Sequence, residues 1–130
     1  MPRHPSPHPT ELELEILKIL WRDGPCSVRD VRDTLVSFRD LAYTSVMTMM
    51  NIMREKGYLK RKKEGGCYVY RARITKKSTA GRMLGDMVDR VFDGSAASLM
   101  VNLLETAEID SEELKELRKR INRKAKELPE

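Results

Sequence analysis

Apolar residues recur at helical spacing through most of the chain and change to strand-like spacing only in its middle. Leu12, Ile16, Ile19 and Leu20 form a stripe behind Thr10-Glu11-Leu12-Glu13, a capping box in which Thr10 caps and Glu13 reaches back. Gly24-Pro25 stops this first helix. Cys26 and Ser27 make a short extended link or a minimal strand. Ser27-Val28-Arg29-Asp30 then opens a second helix with Val28, Val31 and Leu35 on its apolar face, and Ser37 to Leu41 reads as a polar turn. A third helix is expected from about Ala42 to Lys56, with Val46, Met49, Met50 and Met53 as its stripe and Gly57 as its left-handed cap.

Tyr58 to Lys63 and Tyr68 to Arg73 then read as strands, joined by the hairpin residues Glu64-Gly65-Gly66-Cys67. Helix, helix, helix, hairpin is the order of a winged helix-turn-helix. After Thr75 helical spacing returns near 76–93, pauses at Asp93-Gly94-Ser95, and resumes in a short apolar helix from Ser98 to Glu105. Asp110-Ser111-Glu112-Glu113 starts a last helix with Leu114, Leu117, Ile121 and Leu128 apolar. The fold class expected is mainly α with a small β wing: a winged helix-turn-helix plus a C-terminal three-helix dimerisation region. The divisions are a flexible arm over 1–9, rich in proline (Pro2, Pro5, Pro7, Pro9), a DNA-binding domain over 10–75 and a helical dimerisation domain over 76–130.

Composition narrows the class. With 40% hydrophobic and 35% charged residues the chain is too apolar for disorder and too charged for a membrane protein. The uncharged run Gly94 to Leu104 falls well short of the roughly 20 residues of a bilayer span, so no membrane insertion is expected. No apolar segment follows Met1 as a secretory signal would require. Cys26 and Cys67 offer neither a disulfide framework nor a metal spacing and read as free thiols of a reducing, cytoplasmic compartment.

The net charge of +5 is unevenly spread. Residues 1–77 carry 16 basic and 9 acidic side chains, and 54–77 alone carry 10 and 2, whereas 78–130 carry 9 and 11. A basic front half is the footprint of a polyanion binder, although a lysine-rich surface also serves solubility.

The third helix is the natural reading head. Opposite its apolar stripe lie Thr44, Thr48, Asn51 and Glu55, flanked by Ser45, Met47, Ile52 and Arg54. An ordinary solvated face would hold Lys and Glu; short hydroxyls, an amide and methyl groups suit close approach to base edges. Arg29 in the first turn of the second helix, Arg39 before the third, and Lys62 and Lys63 at the wing tip are candidate phosphate contacts. Each taken singly is an ordinary surface charge; together they make a footprint.

Nothing points to catalysis. His4 and His8 lie in the proline arm, no glycine-rich phosphate loop is present, and Asp86 and Asp89 read as a solvated helix face. No cofactor and no metal are expected. The back half carries more apolar surface than three short helices bury alone. Met83, Leu84, Met87, Val91 and Phe92 stand on the fourth helix, Leu99, Val101, Leu103 and Leu104 on the fifth, and Leu117 on the sixth. The simplest solution is a twofold homodimer, which would read a pseudo-palindromic operator in double-stranded DNA. The rival is that these helices pack back on their own winged-helix core.

Thr10-Glu11-Leu12-Glu13 with Ile16-Leu17 and Leu20-Trp21, then Ala42-Tyr43-Thr44-Ser45-Val46-Met47-Thr48, then Gly57-Tyr58-Leu59 and Tyr68-Val69-Tyr70 resemble the penicillinase-repressor family over about residues 10–121. The resemblance implies a homodimeric transcriptional repressor acting on inverted repeats with TACA/TGTA elements, with operator contacts that, carried over by position, fall on Thr44, Ser45, Met47, Thr48 and Asn51. Met47 and Ile52 stand where staphylococcal-type repressors have basic residues. The copper branch senses through C-terminal Cys-x-Cys motifs, and no cysteine follows Asp110 here. In the β-lactamase branch, proteolysis linked to a membrane sensor inactivates the repressor. Asn102-Leu103 resembles the cleaved bond, the alternative being a helix no protease touches. Two other functions fit the residues: a winged-helix protein-interaction module, and a repressor induced by a small molecule in a pocket at the dimer interface, which methionines would suit although Met49, Met50 and Met53 read more simply as core.

Overall fold

The computed structural model describes residues 8–129. His4 and most of the proline-rich arm lie outside the described residues.

Local chemistry starts each helix. Helix α1 (Glu11–Asp23) begins at Thr10, whose hydroxyl accepts the Glu13 N–H at 3.2 Å while the Glu13 carboxylate accepts the Thr10 N–H at 2.9 Å. It ends where Gly24, at φ 80°, donates its N–H to the Leu20 carbonyl. Helix α2 (Val28–Leu35) repeats the device with Ser27 and Asp30. Helix α3 (Tyr43–Glu55) starts from Ala42 with no side-chain cap.

Strands β1 (Leu59–Glu64) and β2 (Cys67–Ala72) form an antiparallel pair with Leu59 opposite Ala72, Arg61 opposite Tyr70 and Lys63 opposite Tyr68. Each strand is displaced by one residue from its expected range. Gly65 and Gly66 both adopt positive φ, 57° and 85°, and make the whole turn by themselves, so Glu64 and Cys67 pair instead of lying in the loop. Cys26 forms an isolated bridge to Tyr70, adding a one-residue strand to the wing.

The core is one cluster. Ile16 and Leu17 of α1, Val31 of α2, Val46, Met50 and Met53 of α3, and Leu59 and Tyr70 of the wing are essentially excluded from solvent. Met49 is only partly buried against them. Burying such side chains is worth about 1.5–3 kcal/mol each and fixes α3 against the wing. The Trp21 indole N–H donates to the Ile74 carbonyl at 2.8 Å, tying α1 to the segment that leaves the hairpin.

Helix α4 (Lys76–Val91) ends two residues before the expected limit, because Asp93 (φ 51°) and Gly94 (φ 84°) turn the chain and Gly94 donates to the Val88 carbonyl. Helix α5 (Ala96–Thr106) starts two residues earlier than expected, since Ser95 caps it by accepting the Ser98 N–H. Helix α6 (Ser111–Glu127) starts at Asp110, whose pKa is lowered by the Glu113 N–H it accepts, and Leu128 follows the helix instead of lying on it. The chain forms two compact units that divide within α4, one ending at Gly85 and the other beginning at Asp86. In the second unit no described residue is buried. Val91, Val101, Leu103 and Leu104 are each about half exposed or more.

Candidate nucleic-acid interface

Three elements border a groove of about 500 Å³: the start of α2, one side of α3 and the wing. Arg29 supplies a charge from the first turn of α2; Tyr43, Met47 and Asn51 enter from α3; Arg61 and Tyr68 enter from the wing. The spacing of four residues between Tyr43, Met47 and Asn51 places them one above another on the helix face that meets the hairpin.

The expected reading residues therefore fall into two groups. Met47 and Asn51 line the groove. Thr44, Ser45 and Thr48 are exposed on the remainder of the outer face of α3. Arg29 lines the groove, but Arg39 does not; its guanidinium lies 5.6 Å from the ring centre of Phe38, beside the turn before α3. Lys62 and Lys63 are both exposed, yet neighbouring residues of a strand point to opposite faces. The register puts Lys63 with Arg61, Tyr68 and Tyr70, and puts Lys62 with Val69 on the other face.

At the base of the groove lies a cluster that reading along the chain does not bring together. The Tyr70 hydroxyl donates to Asn51 Oδ1 at 2.8 Å, and Arg61 donates to the same oxygen at 3.1 Å. Arg61 also approaches the Tyr70 hydroxyl at 3.4 Å and stacks 3.9 Å over the Tyr68 ring. Arg61 is thus engaged in joining the wing to α3. The available signal was the Gly65-Gly66 turn: a two-residue hairpin fixes Arg61 opposite Tyr70.

The two thiols differ. Cys26 is buried, and that burial raises its pKa, whereas Cys67 is exposed at the end of the hairpin turn. Met50 and Met53 belong to the core, which leaves them unavailable as the lining of an effector pocket. No helix among the described residues is long and apolar enough to cross a membrane.

Three helices and an antiparallel wing around one core make this a winged-helix protein. The penicillinase repressor family model matches residues 9–123, and the chain belongs to that family. It is 23% identical over 112 residues to the methicillin resistance regulatory protein MecI of Mammaliicoccus sciuri, covering 86% of this chain and 91% of that protein. It is 26% identical over 111 residues to the penicillinase repressor of Bacillus licheniformis, covering 85% and 87%. The solution structure of the DNA binding domain of the repressor BlaI aligns with a TM-score of 0.49 and 26% identity, covering 57% of this chain and 90% of that one.

Proposed function

We propose that the protein is a homodimeric, sequence-specific DNA-binding transcriptional repressor in the cytoplasm that recognises an inverted-repeat operator. The observation that carries this reading is the groove in which Arg29, the polar side of α3 and the basic wing converge, in a chain of the penicillinase repressor family. In this reading residues 10–75 bind DNA and 76–130 dimerise, with α4 as the connection. The exposed apolar side chains of α4 and α5 support the second role: left in water they would be costly, and a twofold partner would cover them. The names of the relatives direct the proposal to β-lactamase-type resistance genes.

Inactivation by a protease linked to a membrane sensor belongs to the same proposal. Asn102 and Leu103 lie inside α5, both exposed in the single chain. A helical bond enters a protease cleft only after local unfolding, so cleavage there would need α5 to open first.

Asn51→Ala tests the reading head. It is expected to cost about 0.5–1.5 kcal/mol on the operator, the worth of one hydrogen bond, while leaving binding to random duplex nearly unchanged. Equal loss on both would remove Asn51 from sequence recognition, and absence of any sequence-dependent binding by the wild-type protein would favour a protein-interaction module.

The wing makes a second prediction. Lys63→Ala is expected to flatten the slope of log affinity against log salt by about 0.9, the value for one phosphate contact. Lys62→Ala, on the opposite face, should change it by less than half as much. Equal changes would mean that the wing meets DNA by its tip and not by the face that bears Arg61.

A further inference from the structure

Asparagine carries one acceptor oxygen and one NH2 donor, and the orientation of the amide decides which of them a ligand meets. In Asn51 that orientation is imposed from the wing. Guanidinium has donors only, so the amide atom 3.1 Å from Arg61 must be the oxygen. The Tyr70 hydroxyl donates to the same atom at 2.8 Å, which occupies its second lone pair. Neither donor is loosely held. Tyr70 is 1% exposed, and Arg61 is stacked on Tyr68. The Asn51 NH2 group makes no hydrogen bond among the described residues, and its side chain lines the groove.

We propose that Arg61 and Tyr70 are positioning residues that make Asn51 a donor-only reader, selecting the keto bases guanine or thymine over the amino bases adenine or cytosine at one position of each half-site. The inference rests on the DNA-binding reading. Paired bidentately with adenine, asparagine must accept from N6 and donate to N7. Here the acceptor is already committed, and releasing it would break two internal hydrogen bonds, one of them charge-assisted. An NH2 group alone finds its match at guanine O6 or thymine O4; cytosine offers only an amino donor, and adenine offers N7 but leaves its N6 amino group facing no acceptor on Asn51.

The test uses the full-length protein and a pool of duplexes of random central sequence, enriched separately on the wild type, Asn51→Asp, Tyr70→Phe and Arg61→Met. The wild type is expected to enrich guanine or thymine at one position per half-site. Asn51→Asp keeps an acceptor for Arg61 but turns an acceptor toward the groove, so that position should change to cytosine or adenine. Tyr70→Phe removes one hydroxyl and no charge; the keto preference should fall about threefold to tenfold, the worth of one neutral hydrogen bond, while affinity for a scrambled duplex is unchanged. A purely structural role would lower affinity for every sequence and leave the base preference intact, and that result would overturn the proposal. So would a keto preference that survives in Asn51→Asp. If Arg61→Met does not fold, Tyr70→Phe and Asn51→Asp decide. A wild-type protein that enriches no sequence overturns the DNA-binding reading itself; enrichment with an unaltered preference in the variants overturns only the donor assignment.

Discussion

Leu103→Asp is expected to yield a folded monomer whose operator affinity is lower by about two orders of magnitude or more, because two linked heads lose their effective concentration. Leu103 is 47% exposed in the single chain, so a carboxylate there stays in contact with water as long as the chain is alone. The substitution therefore costs the monomer little. In the proposed dimer the same carboxylate would be buried without an evident partner, at several kcal/mol, and twofold symmetry would impose it twice. The winged-helix core is built from α1, α2, α3 and the wing, and includes no residue of α5. Its thermal unfolding and its binding to a single half-site should accordingly be retained. Solution mass and operator affinity, measured together, check the prediction. A variant that remains dimeric would remove Leu103 from the interface. A monomeric variant with undiminished affinity would refute the dimer mechanism.

The second large effect is on stability. Lys56→Met should destabilise the protein by about 2–3 kcal/mol, reduced from the about 3–5 kcal/mol of a broken buried pair because water reaches Lys56. The Glu13 side chain is 1% exposed, and Lys56 Nζ donates to its Oε2 at 2.8 Å while remaining 23% exposed itself. Removing the ammonium strands a carboxylate whose other oxygen is committed to the Thr10 N–H. The double variant Glu13→Gln, Lys56→Met should recover most of the loss: glutamine still closes the capping box and no charge is left buried. Chemical denaturation of the two single variants and the double checks this. A double variant as unstable as Lys56→Met alone would show that the lysine acts through packing of its stem, not through the ion pair. The pair spans 43 residues of sequence and joins the first turn of α1 to the end of α3, so its loss would also loosen α3.

The same pair illustrates what was legible in advance. Glu13 is identifiable as a capping residue because its partner lies three residues away. Its second partner is not, because nothing in local spacing brings Lys56 to the start of α1. The residues of α3 behave likewise. The wheel of α3 separates Val46, Met50 and Met53 from Thr44, Thr48 and Asn51, and the burial of the first group follows from that pattern. The wheel does not reveal that Met47 and Asn51 face the wing while Thr44 and Thr48 do not.

What the chain alone determined was local: the Thr10–Glu13 capping box, the opening of the second helix at Ser27, the apolar stripes, the glycine stops, the order of three helices and a hairpin, and the basic charge of residues 54–77. Each depends on interactions within a turn or two, or on counts that need no coordinates. Tertiary structure decided which face of the wing turns to α3, so that Lys63 and not Lys62 shares it with Arg61, and the meeting of Arg61, Tyr70 and Asn51 that orients the amide. The physical reason lies in the period of two along a strand. The pattern gives each strand two faces, and pairing Glu64 with Cys67 extends both strands toward the turn without changing any partner beyond them; which face meets α3 is fixed only when the hairpin packs.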